Sequence, residues 1–303
     1  MMAKGTIRIG ISGWTYPPWR GDFYPKGLLQ KRELAYASAL FPSVEINSTF
    51  YGLQTPASFA RWADDTPQDF VFAVKGPRFL THILRLRGIE TPLANFMASG
   101  VLRLGSKLGP MLWQFPANFR FEPESFAAFL ASLPQDGEAA SALASRHDDH
   151  IKARGWLKAD GVGRLRHAVE VRHQSFRDPA FIALLRRHDI ALVCADAVDW
   201  PLWTDLTADF AYIRLHGSQE LYASGYDDAA LDHWAGLISA WAEGREAAGD
   251  QRIVPARADG SPRDVHVYFD NTMKPRAPRD ALALMERLGL KPDEAAAAAL
   301  VRR

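Results

Sequence analysis

Eight short apolar runs recur along the 303 residues of the chain, with helical segments between them. The runs are Ile7–Gly13, Ser43–Thr49, Phe70–Gly76, Gly109–Phe115, Arg166–Arg172, Ile190–Ala197, Phe210–Gly217 and Asp264–Asn271. A parallel strand that is buried on both faces reads as a near-continuous apolar run. Eight such strands alternating with helices predict an α/β fold, a TIM-type (β/α)8 barrel with its active site at the carboxyl ends of the strands.

The chain length fits one domain of this kind, because such a barrel needs about 250 residues. We therefore expect a single barrel domain over residues 1–303. An insertion at about 134–164 interrupts the rhythm, and we expect it to form a helix and a mobile loop on the amino-terminal face. The Ala-rich tail from about residue 291 is expected to fray.

Helix-start signals fall between the apolar runs. Thr55-Pro56, Thr91-Pro92 and Asp178-Pro179 each combine a capping residue with a proline suited to the first turn. Asp227 is expected to cap a helix over Asp228–Ala247. The segment Ala197–Thr207 contains no clear helix signal, so a short helix or a loop is expected there.

Charge and cysteine content narrow the classes of function. The 36 Lys and Arg residues nearly balance the 35 Asp and Glu residues, which makes nucleic acid an unfavoured partner, although a local basic cleft would still allow it. The lone Cys194 excludes an intrachain disulfide framework. MMAKGTIRIG contains no signal-peptide core, and no apolar stretch reaches about 18 residues. We expect a cytoplasmic protein with no membrane contact, and the sequence leaves its oligomeric state open.

Polar residues cluster at the ends of the predicted strands. Side chains alternate along a strand, so Glu45 with Asn47, Glu170 with Arg172, and Arg214 with His216 share a face. The predicted catalytic residues are Glu45, Glu170, His216 and Asp196. The predicted substrate-binding residues are Trp14, Asn47, Lys75, Gln114, Arg172, Arg214, Tyr268 and Asp270. We expect them to converge on one cavity, since barrel interiors otherwise favour Val, Ile and Leu. The alternative is a closed ion network, for example Glu45–Arg172 and Glu170–Arg214.

Several strings together resemble the domain of unknown function 72 family, also called YecE-like proteins. They are Gly10–Trp14, Trp19–Pro25, Val44–Tyr51, Lys75–Pro77 with Thr81-His82, Leu108–Pro110 with Gln114–Pro116, Glu170–His173, Arg214–Gly217 and Tyr268–Asn271. The resemblance covers roughly residues 6–290. It implies a TIM-type barrel, and it implies no activity, because the family name records that none is assigned.

Three chemistries compete for this predicted site. The first is a metal-independent enzyme, a hydrolase, lyase or isomerase, in which carboxylates do acid/base work on a small anionic or polyhydroxylated substrate. The second is a divalent-metal barrel resembling sugar isomerases or phosphoesterases, which the cations at the same strand ends disfavour. The third is a non-catalytic barrel that binds a ligand or a partner. We favour the first, with a small-molecule substrate and no metal or cofactor.

We further expect an anion to bind through Lys75, Arg172 and Arg214, because guanidinium and ammonium groups suit carboxylate or phosphate. Gly76 and Gly217 would keep the adjacent backbone open for close approach. His147-Asp148-Asp149-His150 is interpreted as a solvated polar run rather than a metal site. His82 and His173 are interpreted as loop histidines whose hydrogen bonds are satisfied within the loops.

Overall fold

A computed structural model describes residues 4–151, 155–217, 221–222, 224–245, 251–256 and 260–301. Its eight parallel strands follow one another around a closed barrel in chain order. They are β1 (Ile7–Ser12), β2 (Ser43–Ile46), β3 (Val71–Lys75), β4 (Leu108–Gln114), β5 (His167–Glu170), β6 (Ala191–Asp196), β7 (Phe210–Leu215) and β8 (Asp264–Phe269). The predicted TIM-type (β/α)8 fold is thereby confirmed.

Helices occupy most connections between the strands. They are α1 (Glu33–Leu40), α2 (Ser48–Tyr51), α3 (Pro56–Asp64), α4 (Glu90–Ala98), α5 (Pro123–Ser132), α6 (Gly137–Ala144), α7 (Pro179–His188), α8 (Asp228–Ala242), α9 (Arg276–Arg287) and α10 (Glu294–Val301). Of the two alternatives predicted for Ala197–Thr207, a short helix or a loop, the structure has the loop. In the part of the chain that the structure describes, no helix is both long and apolar enough to cross a membrane.

The chain divides into two compact units. Met1–Val44 and Arg177–Arg303 form the first, called the terminal unit below, and Glu45–Phe176 forms the second, called the central unit. The terminal unit contains β1, β6, β7 and β8, and the central unit contains β3, β4 and β5. That the chain is one domain remains a prediction.

Capping side chains fix several helix starts at the predicted positions. The side chain of Asp178 accepts a hydrogen bond from the Ala180 N–H at 2.8 Å, and that of Asp227 accepts one from Ala230 at 2.8 Å. Such caps satisfy backbone donors that have no partner within the helix. Thr91-Pro92 is different, because α4 already begins at Glu90 and Thr91 and Pro92 lie in its first turn. With Thr91 as the cap and Pro92 as the first helical residue, that predicted helix start was therefore two residues late.

The carboxyl-terminal tail forms a helix that has defined contacts within the terminal unit. Helix α10 packs against α1, and the backbone N–H of Asp293 donates to the Ala39 carbonyl at 2.9 Å. The Arg32 guanidinium donates to the Leu300 carbonyl at 3.0 Å. Asp293 also caps α10 by accepting from the Ala296 N–H at 2.9 Å, so the tail has defined contacts up to Leu300.

Candidate functional site

A buried carboxylate lies at the end of β5, inside the central unit. Oε1 of Glu170 accepts three hydrogen bonds, from Nε2 of Gln114 at 2.8 Å and from Nε and NH2 of Arg172 at 2.9 and 2.6 Å. The Glu170 side chain is fully buried, and 11% of the Arg172 side chain is exposed. N–H donors stabilise negative charge on an oxygen, which makes this a well-defined anionic centre.

The direction of these side chains follows from strand alternation. The ring of Trp113 packs against Phe96 of α4 and Phe129 of α5, which places Trp113 on the helix side of β4. Its neighbour Gln114 therefore points to the opposite side, into the barrel. Glu170 is the register partner of Gln114 and shares that side. The predicted face of Glu170 thus agrees with the structure of the central unit.

Lys75 ends β3 and lies close to an aromatic ring. Its Nζ is 4.2 Å from the centre of the Phe50 ring, a cation–π contact, and only 7% of Lys75 is exposed. Thr49 ties the two connections together, because its hydroxyl contacts the carbonyl oxygens of Ile46 at 3.0 Å and Lys75 at 2.6 Å. The ring face thus helps to hold the Lys75 ammonium in a partly desolvated position.

His82 is the functional candidate that sequence reasoning missed. Its pKa is lowered from 6.5 to about 4, first by burial and then by the nearby cations Arg172, Arg78 and Lys75, whose effect exceeds the opposite effect of the anion Glu170. The imidazole is thus neutral at pH 7, and its surroundings carry net positive potential. The sequence signal for this residue is the string Thr81-His82 in the connection after β3, but the string alone predicts only a loop histidine whose hydrogen bonds are satisfied within the loop.

The surroundings of His82 leave one ring nitrogen available. Nδ1 lies 2.9 Å from the hydroxyl of Thr81, which is 1% exposed. Among the described residues no hydrogen-bond partner meets Nε2. A hydroxyl can donate to Nδ1 or accept from it, so Nε2 can serve as either an acid or a base. We call Lys75, His82, Gln114, Glu170 and Arg172 the strand-end cluster.

The backbone that carries His82 is unusual. Phe79–Ile83 forms one turn of π-helix, closed by the Leu84 N–H donating to the Phe79 carbonyl at 2.9 Å. Two residues later Arg85 and Leu86 adopt φ values of 49° and 66°, a region that side chains with a Cβ rarely occupy. Wide turns and such strained residues concentrate at functional sites.

Two further predicted residues of the central unit lie at the end of β2. Glu45 is fully buried. Asn47 lies beyond the strand, because β2 stops at Ile46 and Ser48 begins α2. The side-chain oxygen of Asn47 is buried, and within the described residues it meets no hydrogen-bond donor. The predicted strand to Thr49 was too long, because the chain turns into α2 at Ser48 and the Thr49 hydroxyl donates back to the Ile46 carbonyl.

The terminal unit holds a second polar group, at the ends of β7 and β8. NH2 of Arg214 donates to Oδ2 of Asp270 at 2.9 Å, and the same oxygen lies 3.1 Å from Nδ1 of His216. NH1 of Arg214 is 3.4 Å from Nε2 of His216. The rings of Trp200 and Tyr222 pack edge-on against the imidazole, with centroid distances of 5.0 and 5.5 Å. Arg214 thus pairs with Asp270 at a fully buried position.

Other predicted residues of the terminal unit have different surroundings. Asp196 is the register partner of Leu215, on the side opposite to Arg214, and it accepts from the Trp234 indole at 3.2 Å. Its place beside Arg214 was therefore predicted one residue out of phase. The Tyr268 hydroxyl contacts that of Ser43 at 2.7 Å. Trp14 is half-buried, and its carbonyl accepts from Tyr24 at 2.6 Å.

Gly76 and Gly217 each have a structural role. A Cβ on Gly76 would lie 2.4 Å from the ring of Trp113, so this glycine makes room for a buried indole. Gly217 has φ 110°, a backbone conformation that glycine adopts readily. Its N–H donates to the Tyr226 hydroxyl at 3.2 Å.

The insertion does not stay on the amino-terminal face. Asp148 and His150 line a groove together with Phe50 and Tyr51, which follow β2, and Phe79, which follows β3. The predicted position of the insertion was wrong because a contact between residues distant in sequence holds this segment. The side chain of Asn95 in α4 forms hydrogen bonds with Asp148. Within the described residues, no three His, Cys, Asp or Glu side chains are grouped closely enough to hold a metal ion.

The chain is similar to a family of unassigned function. The family described as "Protein of unknown function DUF72" matches residues 8–302. YecE of Escherichia coli O157:H7 is 32% identical over 71% of this chain and 75% of its own length. YunF of Bacillus subtilis (strain 168) is 31% identical over 50% of this chain, and the match spans only 58% of YunF. Both relatives are described as UPF0759 proteins.

Solved structures share the fold. A DUF72 family protein from Thermotoga maritima MSB8 superposes with a TM-score of 0.69 at 24% identity, covering 94% of this chain and 99% of the other. A DUF72 family protein from Enterococcus faecalis v583 gives 0.65 at 17% identity, covering 94% and 96%. Identity this low supports the barrel and nothing finer. With a family match over residues 8–302 and a 32% identical relative, the chain belongs to the DUF72 family.

Proposed function

We propose that this protein is a metal-independent enzyme that performs acid/base chemistry on a small anionic or polyhydroxylated substrate at the strand-end cluster. One observation carries the proposal: a neutral, half-buried His82 lies among Lys75, Arg78 and Arg172. A neutral imidazole surrounded by cations combines a proton-transfer group with a place that attracts an anion.

Each residue of the cluster has a separate role in this proposal. Lys75 and Arg172 attract the anionic group, with Arg172 aimed by its two hydrogen bonds to Glu170. The Gln114 amide donates hydrogen bonds to substrate hydroxyls or accepts them, and the Glu170 carboxylate accepts them. Nε2 of His82 moves the proton, because Thr81 leaves that nitrogen open to both directions of transfer. Glu45, buried at the end of β2, is a further candidate base.

The same charges argue for chemistry without a divalent metal. Lys75, Arg78 and Arg172 all act on His82, and Glu170 is the opposing anion. A divalent cation would meet repulsion from three like charges there. We therefore expect activity to survive treatment of the protein with a chelator.

Binding can be tested before a reaction is known. Wild-type protein is titrated with phosphate, citrate and glucuronate, with glucose as the neutral comparison, and unfolding is followed by heat. An anion at 100 times its dissociation constant stabilises the fold by about 2.7 kcal/mol. We expect Lys75→Met to remove this gain. Arg87→Met, an exposed arginine in the connection after β3, is the matched control and should keep it.

Catalysis is tested by screening hydrolase, lyase and isomerase reactions on the stabilising anions, with and without EDTA. His82→Asn should bind the anion normally and lose turnover by about 100-fold or more. Equal anion stabilisation in wild type and Lys75→Met, or loss of all activity in EDTA, would contradict the proposal.

His216 in the terminal unit is a second candidate for proton transfer; the sequence predicts it as a catalytic residue and its neighbour Asp270 as a substrate-binding residue. Nδ1 of His216 lies 3.1 Å from Oδ2 of Asp270, so this carboxylate is close enough to stabilise a protonated imidazole electrostatically. Comparing His216→Asn with His82→Asn on the same substrate decides which histidine moves the proton. Turnover that depends on His216 alone would move the reaction to the terminal unit.

A further inference from the structure

An open groove of about 470 Å³ lies in the central unit, beside the strand-end cluster. Its volume falls within the range of small-molecule sites, about 300–1,000 Å³. We call it the aromatic groove, and it is defined by Phe50, Tyr51, Phe79, Pro92, Asp148 and His150. Besides the three aromatic residues, Leu53, Leu80, Pro77 and Pro92 line the groove, so most of its lining is apolar and suits a flat, apolar group.

Two of the rings are unusually open to solvent. Tyr51 is 75% exposed and Phe79 is 48% exposed. Tyr51 ends α2, and Phe79 begins the π-helical turn that also carries His82. Large aromatic side chains at the rim of a concave surface provide stacking area for a ligand ring.

The part of the groove formed by Asp148 is held in place by two reciprocal hydrogen bonds with Asn95 of α4. Nδ2 of Asn95 donates to Oδ1 of Asp148 at 2.9 Å, and the Asp148 N–H donates to Oδ1 of Asn95 at 3.1 Å. Oδ1 of Asp148 also accepts from the His150 N–H at 2.9 Å, and these bonds lower the pKa of the carboxyl group. Asn95 is 5% exposed, so the insertion is anchored to α4 at a buried position.

Phe50 joins the aromatic groove to the strand-end cluster. It lines the groove, its ring contacts Nζ of Lys75 at 4.2 Å, and it packs edge-on against His82 at 5.1 Å. It also packs edge-on against Tyr51, with a centroid distance of 5.2 Å. The Phe50 ring therefore lies next to both the Lys75 ammonium and the groove, and Arg78 lines the groove itself, so one small molecule can reach a cation and the stacking surface together.

We propose that the aromatic groove binds a planar aryl or heteroaryl group that belongs to the same substrate whose anionic group meets Lys75 and Arg172. The inference rests on the proposed function and narrows its substrate class to aromatic organic anions. Tyr51 and Phe79 stack on the ring, and the segment that carries Asp148 closes one side. The anionic group of the substrate is attracted by the cations, and stacking of its ring favours aromatic anions over other anions.

The test compares two probes that differ by one ring, inorganic phosphate and phenyl phosphate, by calorimetric titration of the full-length protein. We expect wild type to bind phenyl phosphate about tenfold or more tightly than phosphate, because the ring buries apolar surface. Tyr51→Ala and Phe79→Ala should remove this ratio and leave phosphate affinity unchanged. Ile83→Ala is the matched control, since Ile83 is 56% exposed on the same turn and does not line the groove.

The outcomes separate this inference from the proposal on which it rests. Phosphate binding with no gain from the ring, or a ratio that survives both Tyr51→Ala and Phe79→Ala, overturns the aromatic subsite and leaves the anion site standing. An equal loss of the ratio in Ile83→Ala also overturns it, since the effect would not belong to the groove. Absence of binding by both probes overturns both statements.

Discussion

The indole N–H of Trp113 donates to Nδ1 of His167 at 3.1 Å, across neighbouring strands of the central unit. Because an indole nitrogen only donates, Nδ1 is the acceptor and the proton of the neutral imidazole resides on Nε2. Nε2 in turn lies 2.7 Å from the Pro134 carbonyl, at the start of the insertion. His167 is 1% exposed, so both nitrogens are satisfied only while the ring is neutral.

The stability of the protein should fall as the pH drops below neutrality because of His167. Burial lowers its pKa to about 4, below the ordinary 6.5. Between these values the unfolded chain binds a proton that the folded chain excludes, so stability is lost as pH falls. Going from pH 7.5 to 5, His167 should cost about 2 kcal/mol. Urea unfolding at both pH values, in wild type and His167→Gln, measures this.

The difference between the two proteins isolates His167. His82 shifts in the same direction but is present in both. His167→Gln should be less stable at pH 7.5 and should show the smaller loss on acidification. The exposed His233, changed to Gln, serves as control and should follow wild type. Identical acid dependence in wild type and His167→Gln would count against the buried neutral imidazole.

The Glu170–Arg172 pair should show strong energetic coupling. Arg172→Met leaves a fully buried carboxylate without its guanidinium and should cost about 3 kcal/mol. Replacing both residues by Met should cost less than the sum of the two single changes, by about 1 kcal/mol or more. A double-mutant cycle by urea unfolding measures the coupling. Arg245→Met, at the exposed pair with Glu243, should change stability by less than about 0.5 kcal/mol. Additive changes at positions 170 and 172 would refute the coupling.

Gly76→Ala should destabilise the fold by about 1–3 kcal/mol, because the new methyl group would enter the space of the Trp113 ring. Gly52→Ala is the matched control, since nothing lies within 4 Å of a Cβ built there. Near-ultraviolet circular dichroism should show a changed tryptophan environment in Gly76→Ala alone. Equal stability of the two variants would show that the Trp113 ring moves aside without cost.

Lys107 caps the end of α3 from a distant part of the chain. Its ammonium donates to the carbonyls of Ala63 at 2.5 Å and Thr66 at 2.8 Å. Lys107→Met should cost about 1–2 kcal/mol, because those carbonyls at the helix end lose a charged donor. The exposed Lys158→Met is the control. A melting temperature that falls equally in both variants would exclude the cap.

The local rules of the sequence predicted the barrel well. Apolar runs, the caps Asp178 and Asp227 and the alternation that pairs Glu170 with Arg172 depend only on neighbouring residues. Such signals are short in range and strong in a parallel barrel. The same reasoning predicted the wrong face for Asp196, because a shift of one residue at the end of a strand moves a side chain to the opposite face.

The rest of the candidate site depends on contacts that no local pattern contains. Asn95 and Asp148 are 53 positions apart, so the route of the insertion to the groove could not be predicted from either segment. His82 does not stand out in the sequence because a π-helical turn has no simple sequence signal, and its lowered pKa arises mainly from burial and then from Arg172, Arg78 and Lys75. A residue whose role depends on charges that the fold brings together can be recognised only from the structure.

The position of the Phe50 ring implies a thermodynamic linkage between two occupants. Whatever displaces this ring from the aromatic groove also changes its contact with the Lys75 ammonium. Any free energy that an aryl group transmits to the anion through Phe50 must be returned by the anion to the aryl group in equal measure. The protein would then bind a molecule that carries both the aryl group and the anionic group more tightly than it binds either fragment alone.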